Sequence, residues 1–206
     1  LHVRSRRQRQ MCIRDRGVIE DIIVDRAFGE HNDTQALELA TFSDLEHLSG
    51  AKVPTSALLA DTLAAAGLAR AYGLQPEWVR RGILEFELAE HRRAVVGTFG
   101  GVTYIDDSKA TNTHAAAASL RDIDDKRAVW IVGGDAKGQD FHSLVQIAAP
   151  KVKAAVLIGL DPEPFESAFA ENGAGIPLKR VTPGDNLMER TLLEARALAS
   201  PGDTVL

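Results

Sequence analysis

The chain is poor in cysteine and has no long apolar run. Its single cysteine, Cys12, cannot form an internal disulfide, so nothing indicates an oxidising compartment. Its apolar stretches, such as Ala115–Ala118 and Ala154–Gly159, are far too short to span a bilayer. The first residues also lack the apolar core of a secretory signal. These absences exclude a disulfide scaffold and a transmembrane helix, and we expect a cytoplasmic location.

Two signatures of nucleotide-binding proteins are missing as well. The phosphate-binding motif G-x-x-x-x-G-K-[ST] occurs nowhere in the chain. The dinucleotide motif G-x-G-x-x-G does not follow the buried strand that we predict near residue 130. If a nucleotide binds, its phosphates need groups other than those of these two loops.

Charge is unevenly distributed along the chain. The formal net charge is −5, yet residues 1–16 hold six arginines and one aspartate. The remainder is therefore strongly acidic, which argues against a nucleic-acid-binding surface. We interpret residues 1–16 as a segment that is not native to the protein and exclude it from the fold prediction. The alternative is a basic arm for RNA or membrane.

Local patterns indicate a first region of strands and helices. Residues Gly17–Asp25 have strand character. A helix is predicted over Thr55–Tyr72, with Thr55 or Ser56 as N-cap and Gly73 as the stop. A second helix is predicted over Glu77–Leu84, with a proline near its first turn. A polar linker follows at 85–93.

Beyond the linker, strands and helices alternate. Gly100-Gly101 is typical of a hairpin between strands at 94–98 and 102–105. Helices are then predicted at 111–120, 143–148, 164–171 and 187–199, and strands at 128–132, 154–158, 179–181 and 204–206. This alternation predicts an α/β fold with a mostly parallel, Rossmann-like sheet.

The stretch YIDDSKATN, residues 104–112, concentrates charge where a strand meets a helix. A helix N-terminus together with Lys109 can hold a phosphate or carboxylate. Asp107 can accept hydrogen bonds from ribose hydroxyls or orient the lysine. The alternative is an N-capped helix with a solvated cluster of charges.

Two further stretches carry candidate site residues. In IVGGDAKGQDF, residues 131–141, glycines after a buried strand let the backbone approach a ligand. Asp135 and Lys137 in that stretch suit the ammonium and carboxylate of an amino acid, although an ordinary turn with exposed charges fits too. In the linker, His91 and Arg92 could reach a nucleotide, whereas a lone histidine is more often structural.

Taken together, these stretches resemble the Mur ligase family, in particular its D-glutamate-adding branch. The matching strings are HRR at 91–93, GVTYIDDSKATNTHAAAASL at 101–120 and VGGDAKGQDF at 132–141. The resemblance implies that residues 17–91 are the C-terminal part of a central α/β ATP-binding domain. Residues 92–206 would be a Rossmann-like amino-acid-binding domain, truncated at its C-terminus.

The resemblance also implies an activity. Members of the branch use ATP and Mg²⁺ to add D-glutamate to UDP-N-acetylmuramoyl-L-alanine through an acyl phosphate, in peptidoglycan precursor synthesis. By this similarity His91 and Arg92 would meet the nucleotide, Asp107 the ribose and Lys109 a phosphate oxygen. His91 and Lys109 are the predicted catalytic residues.

The amino-acid substrate and the metal are implied in the same way. Thr111 and Lys137 would hold a carboxylate of D-glutamate, and Asp135 would position Lys137 or the amine. The phosphate loop and the Mg²⁺ ligands are expected in a part that this chain lacks. We therefore predict no metal ligand in this chain and no turnover by this chain alone. The resemblance also implies a monomer.

One position departs from the family pattern. The family has His-Asn before its alanine-rich helix, where this chain has Ala57 and Leu58.

Other functions stay open. A sibling Mur ligase or an enzyme like folylpolyglutamate synthase would share the ATP chemistry but use another amino acid. A non-catalytic nucleotide-binding α/β module is the alternative from a different class.

Overall fold

The structure is a computed structural model that describes residues 16–28, 35–134 and 139–206. Asp135 and Lys137, both predicted substrate residues, lie outside these ranges. The chain divides into two compact units, with the division between Leu88 and Ala89. Within the described ranges, no helix is long and apolar enough to cross a membrane.

The first unit contains a three-stranded antiparallel sheet. Its strands are β1 (Arg16–Ile19), β2 (Ile22–Asp25) and β3 (Leu37–Thr41), in that spatial order. The predicted strand character of residues 17–25 is confirmed, and it comes from two strands, because β1 and β2 form a hairpin. Its turn carries the acidic pair Glu20-Asp21, which interrupts the apolar run, and Glu20 adopts a left-handed φ of 57°.

Helices cover this sheet. They are α1 (Glu46–Ser49), α2 (Ser56–Tyr72) and α3 (Pro76–Glu85), and a short 3₁₀ turn over Phe42–Leu45 precedes them. The predicted ends of α2 are confirmed. The Thr55 side chain accepts the Leu58 N–H, and Gly73 ends the helix with a φ of 102°. The core consists of Ile23, Leu39, Ala40, Leu45, Ala66 and Val79.

The second unit contains a six-stranded sheet. Its strands are β4 (Ala94–Phe99), β5 (Val102–Asp106), β6 (Ala128–Gly133), β7 (Val152–Ile158), β8 (Leu178–Arg180) and β9 (Thr204–Val205). Their spatial order is β4-β5-β9-β6-β7-β8. Only β4 and β5 pair antiparallel, so the predicted α/β, mostly parallel fold is confirmed.

Four helices pack on the two faces of this sheet. They are α4 (Thr113–Arg121), α5 (Phe141–Ala148), α6 (Glu163–Asn172) and α7 (Leu187–Leu198). Alternate residues of β6 point to opposite faces, as strand geometry requires. Trp130 packs with residues of α4, α5 and α6, whereas Val129 packs with residues of α7. The sheet therefore separates two apolar cores.

This topology determines where a site can form. The chain leaves β5 through α4 on one face and enters β9 through α7 on the other. Because β9 lies between β5 and β6, the loops after β5 and β6 meet at the same carboxyl edge. Open α/β sheets bind ligands at such a switch point.

Candidate functional site

The loop between β5 and α4 is built by its own side chains. The Asp106 carboxylate ends β5 and accepts the Ser108 N–H at 3.0 Å. Helix α4 begins at Thr113, two residues later than predicted, because Asn112 is its N-cap and accepts the Ala115 N–H at 2.9 Å. Lys109 and Thr111 therefore lie in the loop, ahead of the helix.

His91 joins this loop through an ion-pair contact. Its Nδ1 lies 2.6 Å from Asp106 Oδ2, with the two side chains 50% and 35% exposed. The hydrogen bond from His91 holds the pKa of Asp106 below its ordinary value, and the Ser108 N–H acts in the same direction. Asp106 is thus ionised at neutral pH and acts only as an acceptor.

Asp107, the predicted ribose contact, is held by two other groups. Its Oδ1 accepts the Arg93 backbone N–H at 3.0 Å, and its Oδ2 accepts the buried Ser119 hydroxyl. The Arg93 guanidinium donates in turn to the Ser119 carbonyl of α4. Each carboxylate oxygen keeps a further lone pair, so Asp107 is oriented and still able to accept a ligand hydroxyl.

The backbone of residues 91–93 is unusual. His91 and Arg93 have φ values of 66° and 50°, in the left-handed region that non-glycine residues seldom occupy. The loop holds them there, because the Lys109 N–H donates to the His91 carbonyl at 3.1 Å and Asp107 accepts the Arg93 N–H. Such conformations persist where surrounding contacts impose them, and they cluster at ligand sites.

Two cations of the predicted site are free to meet a ligand. The side chains of Arg92 and Lys109 are exposed, and neither forms an ion pair or hydrogen bond within residues 16–28, 35–134 and 139–206. Thr111 is also exposed, on the same loop. The structure therefore brings His91, Arg92, Asp107, Lys109 and Thr111 together at one edge of the sheet.

Gln139 connects the loop after β6 to the start of α4. Its side-chain carbonyl accepts the Thr113 N–H at 3.0 Å. This N–H belongs to the first turn of α4 and has no partner within the helix. Gln139 thus links the segment that follows Lys137 to the segment that follows Thr111.

A cavity of about 780 Å³ opens beside the loop. Asp106, Asp107 and Ser108 form its polar end, while Phe99 and Leu192 contribute to apolar walls. In the part of the chain that the structure describes, no group of three or more His, Cys, Asp or Glu side chains could hold a metal ion.

The sequence prediction missed four contributors: Asp106, Arg93, Ser119 and Gln139. Asp106 is half of the Asp-Asp pair at the end of β5, which was a signal that could have suggested it. Ser119 gave no signal, because a serine in an alanine-rich helix is unremarkable. Its role depends on a contact across twelve residues.

The chain thus contains an α/β domain with a charged loop at the switch point of a mostly parallel sheet, the position at which such folds bind ligands. The sequence profile of the family "Mur ligase, glutamate ligase domain" matches residues 91–206, more than half of the chain. The chain therefore belongs to the Mur ligase family.

Curated relatives carry the same resemblance further along the chain. A UDP-N-acetylmuramoylalanine–D-glutamate ligase of Streptomyces coelicolor is 45% identical over 191 residues, which cover 92% of this chain and 39% of the relative. One from Thermobifida fusca is 43% identical with the same coverage. The chain thus spans about two fifths of the length of these relatives.

Solved structures share the fold at low identity. A pseudomurein peptide ligase type C of Methanothermus fervidus matches with a TM-score of 0.61 and 15% identity, over 92% of this chain and 37% of that chain. MurF of Acinetobacter baumannii matches with a TM-score of 0.52 and 20% identity, over 83% and 35%. These matches support the architecture.

Proposed function

We propose that this chain is the C-terminal part of an ATP-dependent, ADP-forming ligase that adds D-glutamate to UDP-N-acetylmuramoyl-L-alanine in peptidoglycan precursor synthesis. The observation that carries the proposal is the 45% identity over 191 residues to a ligase of that name. The site agrees with it chemically, because it offers exposed cations beside an oriented carboxylate.

The nucleotide would meet the residues of the loop after β5. Lys109 and Arg92, which have no side-chain partner among the described residues, suit phosphate oxygens. Asp107 suits a ribose hydroxyl, since Arg93 and Ser119 hold it in place and leave it acceptor capacity. His91 completes this group, and ATP would supply the phosphoryl group that activates the acceptor's carboxylate.

The amino acid would bind at the neighbouring loop. We propose that Thr111 and Lys137 hold a carboxylate of D-glutamate and that Asp135 positions Lys137 or the amine. In support of this, Thr111 is exposed on the loop ahead of α4, and Gln139 ties the loop after β6 to the same helix. A carboxylate near the α4 N-terminus would also gain from the helix dipole.

The two units fit different parts of such a ligase. We propose that residues 17–91 belong to its central ATP-binding domain and residues 92–206 to its amino-acid-binding domain. Residues 1–16 would be foreign to both. As the family resemblance implies, the residues that hold Mg²⁺ would lie in another part of such a ligase. We further propose that the protein is cytoplasmic and monomeric.

A chimera tests the function. Residues 17–206 would replace the matching segment of the Streptomyces coelicolor ligase, and phosphate release would be measured with ATP, Mg²⁺, UDP-N-acetylmuramoyl-L-alanine and a panel of amino acids. We expect release that requires D-glutamate. Lys109→Ala should abolish it, while Lys179→Ala, an exposed lysine on β8, should not.

The other outcomes separate the alternatives. Release with a different amino acid would move the chain to a sibling specificity. A chimera that melts cooperatively yet releases no phosphate with any amino acid would refute the ligase proposal and favour a non-catalytic binding module.

A further inference from the structure

We infer that Asp106 is a positioning residue, which holds the imidazole of His91 in its Nδ1-protonated form and leaves Nε2 as the ring nitrogen that meets the ligand. Only the identity of the ligand, a nucleotide, rests on the proposed function. The arrangement itself follows from the contacts around residue 91.

The hydrogen bond determines which nitrogen carries the proton. Asp106 Oδ2 lies 2.6 Å from His91 Nδ1, and an ionised carboxylate can only accept. The proton of the neutral ring must therefore sit on Nδ1. Nε2 then offers a lone pair when the ring is neutral and an N–H when the ring is charged.

The same loop also determines where the ring sits. The His91 carbonyl accepts the Lys109 N–H, and the residue is held at a φ of 66°. Backbone and ring are thus both attached to the segment that carries Asp107 and Lys109. Nε2 is therefore held on the same loop as the groups that would bind ribose and phosphate.

Stability alone does not account for the pair. Both side chains are solvent-exposed to a substantial degree, and exposed ion pairs contribute little to folding. A left-handed histidine is unfavourable in itself. An arrangement that adds little stability and uses a strained residue is typical of a ligand site.

One other acidic group faces the ring. Glu90 Oε2 lies 4.0 Å from Nε2, beyond hydrogen-bond distance, and its side chain is 94% exposed. Arg92 and Arg93 follow His91 in the chain. Asp107 and Lys109 lie on the loop after β5 that the His91 carbonyl contacts. Among the described residues, only Asp106 is hydrogen-bonded to the imidazole, so we expect it to control the tautomer.

Imidazole ¹⁵N NMR of the 206-residue chain tests the inference. We expect the neutral His91 ring to be protonated at Nδ1, with its signal assigned by its loss in His91→Gln. Asp106→Ala should change it to the Nε2–H form that predominates for histidine in water. Asp106→Asn should retain the Nδ1–H form, because its amide oxygen can still accept. Glu90→Gln, the matched control, should change nothing.

The result that would overturn the inference is also specific. A wild-type ring protonated at Nε2, or an Nδ1–H ring that persists in Asp106→Ala, would remove any role for Asp106 in the tautomer. Backbone amide spectra of each variant would show that the fold is retained.

Kinetics of the chimera separate this inference from the proposed function. Asp106→Ala should lower kcat/KM for ATP on the order of tenfold, and Asp106→Asn should restore most of it. An active chimera indifferent to Asp106→Ala would overturn the inference. The expected tautomers in a chimera without ligase activity would support the positioning role and refute the ligase.

Discussion

The two edges of the second unit's sheet each carry an aspartate bound by basic groups, but the surroundings differ. At the carboxyl edge, Asp106 meets a half-exposed His91 beside a cavity. At the amino edge, Asp203 is fully buried and contacts Arg127 at 3.1 Å and Lys153 at 2.5 Å. The Ser200 N–H also donates to Asp203, at 2.8 Å.

This contrast separates stability from ligand binding. Asp203 connects β9 to residues at the starts of β6 and β7, and its oxygens face protein donors. The carboxyl edge instead leaves Lys109 and Arg92 without partners in the described chain and retains left-handed residues. The four predictions below test whether groups at the amino edge serve stability and those at the carboxyl edge serve binding.

The largest effect is expected for Asp203→Ala. It removes the acceptor that Lys153, Arg127 and the Ser200 N–H share, although Lys153 keeps the Ser200 hydroxyl and both cations can be partly resolvated. We expect a loss of about 2–3 kcal/mol in the free energy of unfolding, measured by urea denaturation. Asp125→Ala removes the exposed partner of Lys151 and should cost under about 1 kcal/mol. Equal losses in both variants would contradict the contrast.

The pH dependence of stability should reveal the ionisation of the same carboxylate, that of Asp203. Burial alone would raise the pKa of Asp203, but hydrogen bonds from Lys153, the Ser200 N–H and Arg127 hold it below its ordinary value. Its contribution is therefore complete above about pH 4 and is lost as the pH falls through the depressed pKa. Urea midpoints of wild type and Asp203→Asn should converge below about pH 4. A difference between the two urea midpoints that widens below that pH would contradict the prediction.

A smaller effect is expected for Ser119→Ala at the carboxyl edge. Asp107 loses the hydroxyl that orients it, so we expect about 1 kcal/mol less stability. In the chimera, the KM for ATP should rise as well. Ser143→Ala, which removes an exposed hydroxyl bonded to Asp140, is the control and should leave that KM unchanged.

The smallest effect is expected for Gln139→Ala. The Thr113 N–H loses its acceptor at an accessible helix end, so the cost should be under about 1 kcal/mol. Hydrogen exchange at the Thr113 amide should accelerate, while Gln139→Glu, which keeps an acceptor near the helix N-terminus, should preserve its protection. Unchanged exchange in the alanine variant would show that the link is absent in solution.

Local sequence predicted the elements well and their pairing poorly. The caps Thr55 and Gly73 and the alternation of strands and helices depend on neighbouring residues, and the structure confirms them. The hairpin in the first unit was missed, because the acidic pair Glu20-Asp21 lacks the glycine or asparagine that marks most tight turns. The position of β9 between β5 and β6 depends on contacts across many residues.

The site shows the same division. Residue types alone indicated Asp107 and Lys109 as site candidates, because a charged strand end ahead of a helix is chemically distinctive. Thr111 was implied only by the family resemblance, and all three roles remain predictions. Residue types did not identify Asp106 or Ser119 as supports, since nothing local pairs these residues with His91 and Asp107. Asp135 and Lys137 remain predictions from sequence.

The sequence by itself determined the helices, the strands, the family and the charged loop, because each follows from residues close together in the chain. Only the tertiary structure decided the strand order, the pairing of buried Asp203 with Arg127 and Lys153, and the attachment of residues 91–93 to the loop after β5. These depend on which distant residues the sheet brings to the same edge, and local propensity does not encode that choice.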